Sequence, residues 1–327
     1  MKSSILLLPL LSLLALMVGS VSIAPHEVWG ALWGNADEAT RFIVIESRLP
    51  QMLTALLVGA SLAVCGLVMQ TLFANPLADP SLLGINSGAS LGAAIALLAF
   101  GGSFVLASGA LSGVVLTIGA AFVGACMTLA LIAVCSRLLR SNLALLVAGV
   151  MLSFVITAII SLLSFYATAD GVRSFIVWGL GDFSGVPLSR IPLMAALTLV
   201  PICGIMLCSR RLNALLLGED YATNLGVNVR QTRTMLLLLT GFLTAVVTAL
   251  CGPISFIGLA VPHIARMLLR TADHRRLLPA SVVMGADIAL LSLVLTHLPG
   301  ERGTLPLAAI TPLLGAPIVL YILTKRR

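Results

Sequence analysis

Apolar residues fall into long blocks separated by short polar stretches along the whole chain. The blocks cover approximately residues 4–23, 50–73, 86–101, 109–136, 142–167, 190–209, 231–250, 256–270, 279–298 and 307–324. A bilayer-spanning helix needs about 20 predominantly apolar residues. The pattern therefore predicts an all-α membrane protein of about ten transmembrane helices. The eighth block is short and carries Pro262, which predicts a helix that does not cross the whole membrane. The first block, after Lys2, exceeds the 7–15-residue apolar core of a secretory signal and ends without a small-x-small cleavage site, so it reads as the first span. Neither a Ser/Gly-rich linker nor a change of composition marks a boundary, and one domain is expected over residues 1–327.

One polar interruption is itself patterned. The stretch LLLGEDYATNLG, residues 215–226, reads as a complete short helix between two spans. Gly218 serves as N-cap, and Glu219 and Asp220 fall in the first turn, where negative charge meets the positive end of the helix dipole. Leu217 and Ala222 stand at the positions of a weak hydrophobic staple, and Gly226 suits a left-handed stop. Tyr221, Ala222 and Leu225 are expected on the exposed side. Isolated helices shorter than about 12–15 residues are marginal in water, so this one needs a supporting surface: a partner, or its own bundle.

Positive residues sort by side, as they do when cytoplasmic loops collect Lys and Arg. With the N-terminus inside, the cytoplasmic ends receive Lys2, Arg137, Arg140, Arg210, Arg211, Arg230, Arg233, Arg266, Arg270, Arg275, Arg276, Lys325, Arg326 and Arg327. The outer side receives Arg41, Arg48, Arg173, Arg190 and Arg302, together with most of the acids. The net charge of +7 thus reflects topology, and no basic stripe interleaved with aromatics points to nucleic acid. Composition agrees: 59% of residues are hydrophobic and 9% charged, where a soluble domain carries about 25% charged residues.

The interior bears on mechanism. Small residues crowd VGASLAVCG (58–66) and GASLG (88–92); they permit close helix packing, the first reading, with the lining of a pathway as the alternative. Asp287 is the one acid well inside a span, thin support for a carrier driven by an ion gradient and readable as a buried, hydrogen-bonded side chain. The six cysteines show no CxxC spacing and read as packing residues. No GxxxxGK[ST] occurs, so a pump built on this chain needs a partner to hydrolyse ATP. Ser87, Ser90 and His263 are the candidates for an intramembrane hydrolase, yet neither GxSG nor HExxH is present.

At several places the chain resembles a known family. LLLGEDYATNLGV is similar to the coupling-helix loop of the FecCD-type permeases, membrane subunits of type II ATP-binding-cassette (ABC) importers for iron chelates, haem and cobalamin. The likeness continues in SRLPQML (47–53), NPLADPSLLGINSGASLGA (75–93), GPISFIGLAVPHIAR (252–266), DHRRLLP (273–279) and TPLLGAP (311–317), in the expected order.

The resemblance implies a cobalamin-importer-like permease bundle in the bacterial inner membrane, with both termini cytoplasmic. It implies a second permease chain, the same or similar, around a central pathway. It also implies separate ABC ATPase subunits that hold ATP and Mg, and a periplasmic substrate-binding protein. No cofactor or metal is expected in this chain. Leu217, Gly218, Glu219, Ala222, Leu225 and Gly226 match the coupling loop and would press into a cleft of the ATPase. The region around His263, Arg266, Asp273, Arg275 and Arg276 would lie against the same partner, or simply anchor the inside-positive face. Ser141 and Asn142 stand where such permeases close their cytoplasmic gate; both are also N-cap types.

Arg48 would meet a carboxylate of the docked binding protein, or anchor its span at the interface. Here the chain departs from the family: Gln51 replaces a frequent second arginine, and Leu293 and His297 replace an Asp and an Arg. Docking therefore falls to Arg48, His297 and Arg302. An iron-siderophore complex is the expected cargo, with haem or cobalamin as the alternative and a gradient-driven carrier as the reading of a different class.

Overall fold

In a computed structural model the chain is described at residues 2–19, 21–99, 104–106, 109–111, 113–139, 141–298, 300 and 303–325. The helices, in chain order, are α1 (Lys2–Met17), α2 (Pro25–Trp33), α3 (Glu38–Phe42), α4 (Leu49–Leu72), α5 (Ile85–Ala94), α6 (Gly113–Leu138), α7 (Asn142–Tyr166) and α8 (Ala169–Gly179). They continue with α9 (Ile191–Leu207), α10 (Ser209–Leu215), α11 (Glu219–Asn224), α12 (Val229–Cys251), α13 (Ile257–Leu269), α14 (His274–Thr296) and α15 (Leu307–Lys325). Among the described residues six helices are long and apolar enough to cross a membrane: Glu38–Leu72, Gly113–Leu138, Leu143–Tyr166, Leu188–Leu207, Val229–Cys251 and His274–Thr296. Four shorter apolar helices, Leu6–Met17, Ile85–Ala99, Ile257–Leu269 and Leu307–Tyr321, complete the series. Each falls, in order, on one of the apolar blocks of the sequence.

The departures are local. The fourth block does not begin in helix: Phe104–Leu106 pairs antiparallel with Gly109–Leu111, in a stretch rich in Gly and Ser that a helix disfavours. The eighth block forms α13, whose 13 residues rise about 20 Å at 1.5 Å each, short of the roughly 30 Å hydrocarbon core. The helix that enters the membrane before α4 contains a π turn, Ile43–Arg48, which offsets the register of the side chains that follow.

The chain divides into two compact units. The first holds residues 1–67, 182–206 and 254–327. Its packing is set by small residues on α4. A Cβ on Gly59 would strike the Gly285 carbonyl of α14, and one on Gly66 would strike the Gly258 carbonyl of α13. Bare backbones meeting in this way are how helices associate where apolar side chains gain nothing by leaving lipid. In the same unit α1 and α13 pack on α14, and α13 packs on α15. Asp287 is buried on α14. Its Oδ1 has no hydrogen-bond partner, so the expectation of a hydrogen-bonded carboxylate is not met at that oxygen.

The second unit holds residues 68–181 and 207–253. Here α5, α6 and α12 form the core, with α7 against α5. The GASLG segment lies on α6: Gly88 meets Gly124 and Thr128, and Gly92 meets the Ala120 carbonyl. Phe122 and Phe242 join α6 to α12 edge to face at 6.0 Å. Buried Thr240 and Thr244 return their hydroxyls to the carbonyls of Leu236 and Thr240, each at 2.8 Å. Thr248 donates across to the Asn86 side chain of α5 at 2.9 Å. These small-residue segments are close-packed, the first of the two readings the sequence allows.

Gly92→Val is expected to force α5 off α6 and to cost about 1–3 kcal/mol, seen as a lowered unfolding temperature of the solubilised chain. Gly119→Ala on α6, where an added Cβ meets nothing within 4 Å, is expected to leave that temperature unchanged or raise it.

Candidate functional site

The short helix anticipated at residues 215–226 is present as α11, Glu219–Asn224. Gly218 occupies its N-cap with φ 102° and ψ 157°, a conformation that side-chain-bearing residues avoid. The Gly218 carbonyl accepts the first helical bond from Ala222 N–H at 3.0 Å. At the other end Gly226 N–H donates to Thr223 O at 2.9 Å and Val227 N–H to Ala222 O at 3.0 Å, with Gly226 at φ 80°. This is a Schellman stop, in which the left-handed glycine lets two otherwise orphaned carbonyls find donors. The first turn carries Glu219 and Asp220, as dipole complementarity favours. Gly226→Val is expected to cost about 1.4 kcal/mol, because an L side chain disfavours this region by about 1–2 kcal/mol. Amide exchange over residues 219–227 should rise about tenfold in consequence.

Three features tie α11 to the bundle. It packs on α10 and on α12. Ala222 is fully buried. Glu219 pairs with Arg233 of α12, while Asn228 caps α12 by accepting Gln231 N–H at 3.0 Å. Ala222 therefore corrects the expectation that it lies on the exposed side. A six-residue helix turns less than twice, and the methyl is the residue small enough to face α10 and α12 at close range. The staple does not form either, since Leu217 stays 63% exposed. Outward, α11 and its flanks present the polar Glu219, Asp220, Thr223 and Asn224 beside four large apolar side chains, Leu216, Leu217, Tyr221 and Leu225, each about half exposed. The result is a rigid knob with capped ends, fixed to two helices, that carries large side chains with no covering in the chain. Such a knob suits insertion into a cleft.

The other candidate residues are placed as follows. Ser141 is exposed and caps α7, its hydroxyl accepting Ala144 N–H at 3.4 Å. Asn142 opens α7, and its side chain lies outside the described residues. Asp79 caps the 3-10 turn Pro80–Leu83 by accepting Ser81 N–H at 2.9 Å; burial pushes its carboxyl up from the ordinary value against the two hydrogen bonds to Ser81. Asp273 accepts Arg275 N–H at 3.0 Å and caps α14. Arg270, Arg275 and Arg276 stand exposed around the α13–α14 turn, whereas His263 is buried within α13.

Arg48 is the main correction. Expected at the outer face to meet a partner's carboxylate, it is only 6% exposed. Its guanidinium donates to the carbonyls of Leu16 at 2.7 Å and Met17 at 2.8 Å, and to that of Val21. The Leu16 and Met17 carbonyls are among the last of α1, which lack partners within the helix, that of Met17 also accepting from Ile23 N–H at 3.1 Å. Val21 follows in the next segment, and a cation at the end of α1 also meets the negative end of the dipole. The π turn directly ahead of α4 accompanies this inward placement. Arg48 is a helix cap in this chain, with no exposed charge to offer a docked protein. His297 is the partly buried C-cap of α14, its Nδ1 within 2.9 Å of Leu293 O. Arg302 lies outside the described residues.

Comparison with known proteins gives consistent matches. The model of the FecCD transport family matches residues 6–325. The vitamin B12 import system permease protein BtuC of Klebsiella pneumoniae subsp. pneumoniae is 38% identical over 317 residues, covering 97% of this chain and 93% of that protein. The protein of the same name from Yersinia enterocolitica is 37% identical over 311 residues, covering 93% and 88%. Among solved structures, an inward-facing conformation of a metal-chelate type ABC transporter aligns with TM-score 0.87 and 30% identity over 99% of this chain and 98% of that one. PsaBC from Streptococcus pneumoniae in complex with Fab aligns at TM-score 0.52 and 15% identity over 84% and 90%, a likeness of fold alone.

Proposed function

Because this chain belongs to the FecCD transport family, as a permease subunit of a type II ABC importer, we propose that it moves a metal chelate across the inner membrane, cobalamin in the first place. The chain itself performs no hydrolysis; that reaction belongs to separate ATPase subunits. A second permease chain and a substrate-binding protein complete the assembly. The observation that carries the mechanism is α11: a capped helix whose outward apolar side chains have no covering, on the end that the charge count assigns to the cytoplasm. Leu217, Gly218, Glu219, Leu225 and Gly226 shape the face that an ATPase cleft would hold, and buried Ala222 seats it. Movement of the cleft on binding ATP would pass to α12 through the Glu219–Arg233 pair and the α10 and α12 contacts. Ser141 and Asn142, at the start of α7, form the inner gate in this reading.

Two facts support cobalamin over the iron siderophore expected from the family alone. The relatives at 37–38% identity are named for vitamin B12 import. A corrinoid is also a metal chelate, the class of cargo for which the transporter aligned at TM-score 0.87 is named. The test is uptake into proteoliposomes that contain the chain, its ATPase and its binding protein, offered cobalamin, a ferric siderophore or haem. ATP-dependent accumulation of cobalamin is expected. Accumulation of the siderophore or haem alone would overturn the cargo while leaving the permease role intact. Accumulation without the ATPase would make the chain a gradient-driven carrier.

A further inference from the structure

An open groove of about 510 Å³ lies in the second unit, between the end of α6 and the first turns of α12. Its rim is basic and polar, with Arg137 from α6 and Arg230, Gln231 and Thr234 from α12; Met235 and Leu238 form its apolar wall. No acid lines it. Among the described residues neither Arg137 nor Arg230 has a carboxylate or hydrogen-bond partner for its guanidinium. Below the rim the apolar surface continues: Met127, Leu131, Val134 and Leu138 are exposed at successive turns of α6 and lead up to Arg137. This stripe is about 16 Å long at 1.5 Å per residue.

Two unpaired cations above an apolar track form a surface with two chemistries in a fixed order. We propose that the groove binds an anionic phospholipid, with the phosphate between Arg137 and Arg230 and an acyl chain along the exposed face of α6. The order of the groups matches that of a lipid at a membrane boundary, and basic clefts between membrane helices suit anionic headgroups. A zwitterionic headgroup would bring a cation of its own to a rim that already holds two and, among the described residues, no acid. A soluble partner would reach the arginines but not a stripe that runs about 16 Å into the apolar part of the bundle. The inference does not depend on the cargo or on the role of α11.

The test is native mass spectrometry of the full chain released from vesicles of phosphatidylglycerol or of phosphatidylcholine. Wild type is expected to retain phosphatidylglycerol preferentially, and to lose it as salt is raised. At about 1 kcal/mol for each arginine near the surface, the variant R137Q/R230Q should bind it about thirtyfold more weakly. R275Q/R276Q, which removes two exposed arginines elsewhere, should bind as wild type. Four outcomes would overturn the proposal: equal retention of the two lipids by wild type; equal loss in both variants; displacement of the lipid by inorganic phosphate at millimolar concentration, which marks a free-phosphate site; and loss of association with a second chain or the ATPase in R137Q/R230Q without loss of lipid. The wild-type arms decide the matter even if a variant does not fold.

Discussion

Replacing Leu217 and Leu225 together by Asp is expected to abolish ATP-driven uptake and to release the ATPase subunits on purification, while the unfolding temperature of the permease stays within a degree or two of wild type. Both side chains are largely exposed, at 63% and 58%, so the fold gains little from them. Covering a leucine is worth about 1.5–3 kcal/mol, and two such losses at one interface come to about 4 kcal/mol, a factor of about a thousand in affinity. Carboxylates left in a closed cleft would add to this. If the double variant kept its ATPase and its uptake, α11 would not be the point of contact. Ala222→Asp is expected to behave differently. That position is fully buried, and the change should lower stability along with assembly.

Arg48→Ala is expected to destabilise the chain by about 3 kcal/mol, because the carbonyls of Leu16 and Met17 at the end of α1, and of Val21 just after it, would lose a charged donor at a buried site. The measurement is thermal unfolding in detergent, paired with affinity for the substrate-binding protein at a temperature where the variant is folded. Affinity close to wild type, with stability reduced, follows from the geometry. Unchanged stability with lost affinity would restore the docking role that the sequence suggested. Lysine at this position should recover only part of the stability, since an ammonium does not reproduce the planar fork of donors that reaches three carbonyls at once.

These two cases mark what local sequence carries and what it does not. The ends of α11 are legible because every signal lies within a dozen residues: Gly218 before the helix, two acids in its first turn and Gly226 after it. The membrane helices are legible for a similar reason, since length and apolar content act within each block. The role of Arg48 is hidden because its acceptors lie 27 to 32 residues earlier in the chain, and nothing in SRLPQML records where α1 ends in space. The pairing of Glu219 with Arg233 spans 14 residues and depends on the angle between α11 and α12. The burial of Ala222 escapes the sequence because fewer than two turns give no periodicity from which a face can be read. The glycines of α4 and α5 are recognisable as small. Which neighbour they admit, Gly285 and Gly258 or Gly124 and Ala120, depends on three-dimensional packing.

The transmission of force through α11 is tested most directly by a photo-crosslinking residue placed at position 225 of the full transporter in membranes. A crosslink from position 225 to the ATPase subunit is expected, with none from position 166, which is also exposed but lies at the end of α7 assigned to the outer face. Absence of the ATPase adduct from position 225, in a transporter that still takes up its cargo, would contradict the coupling role.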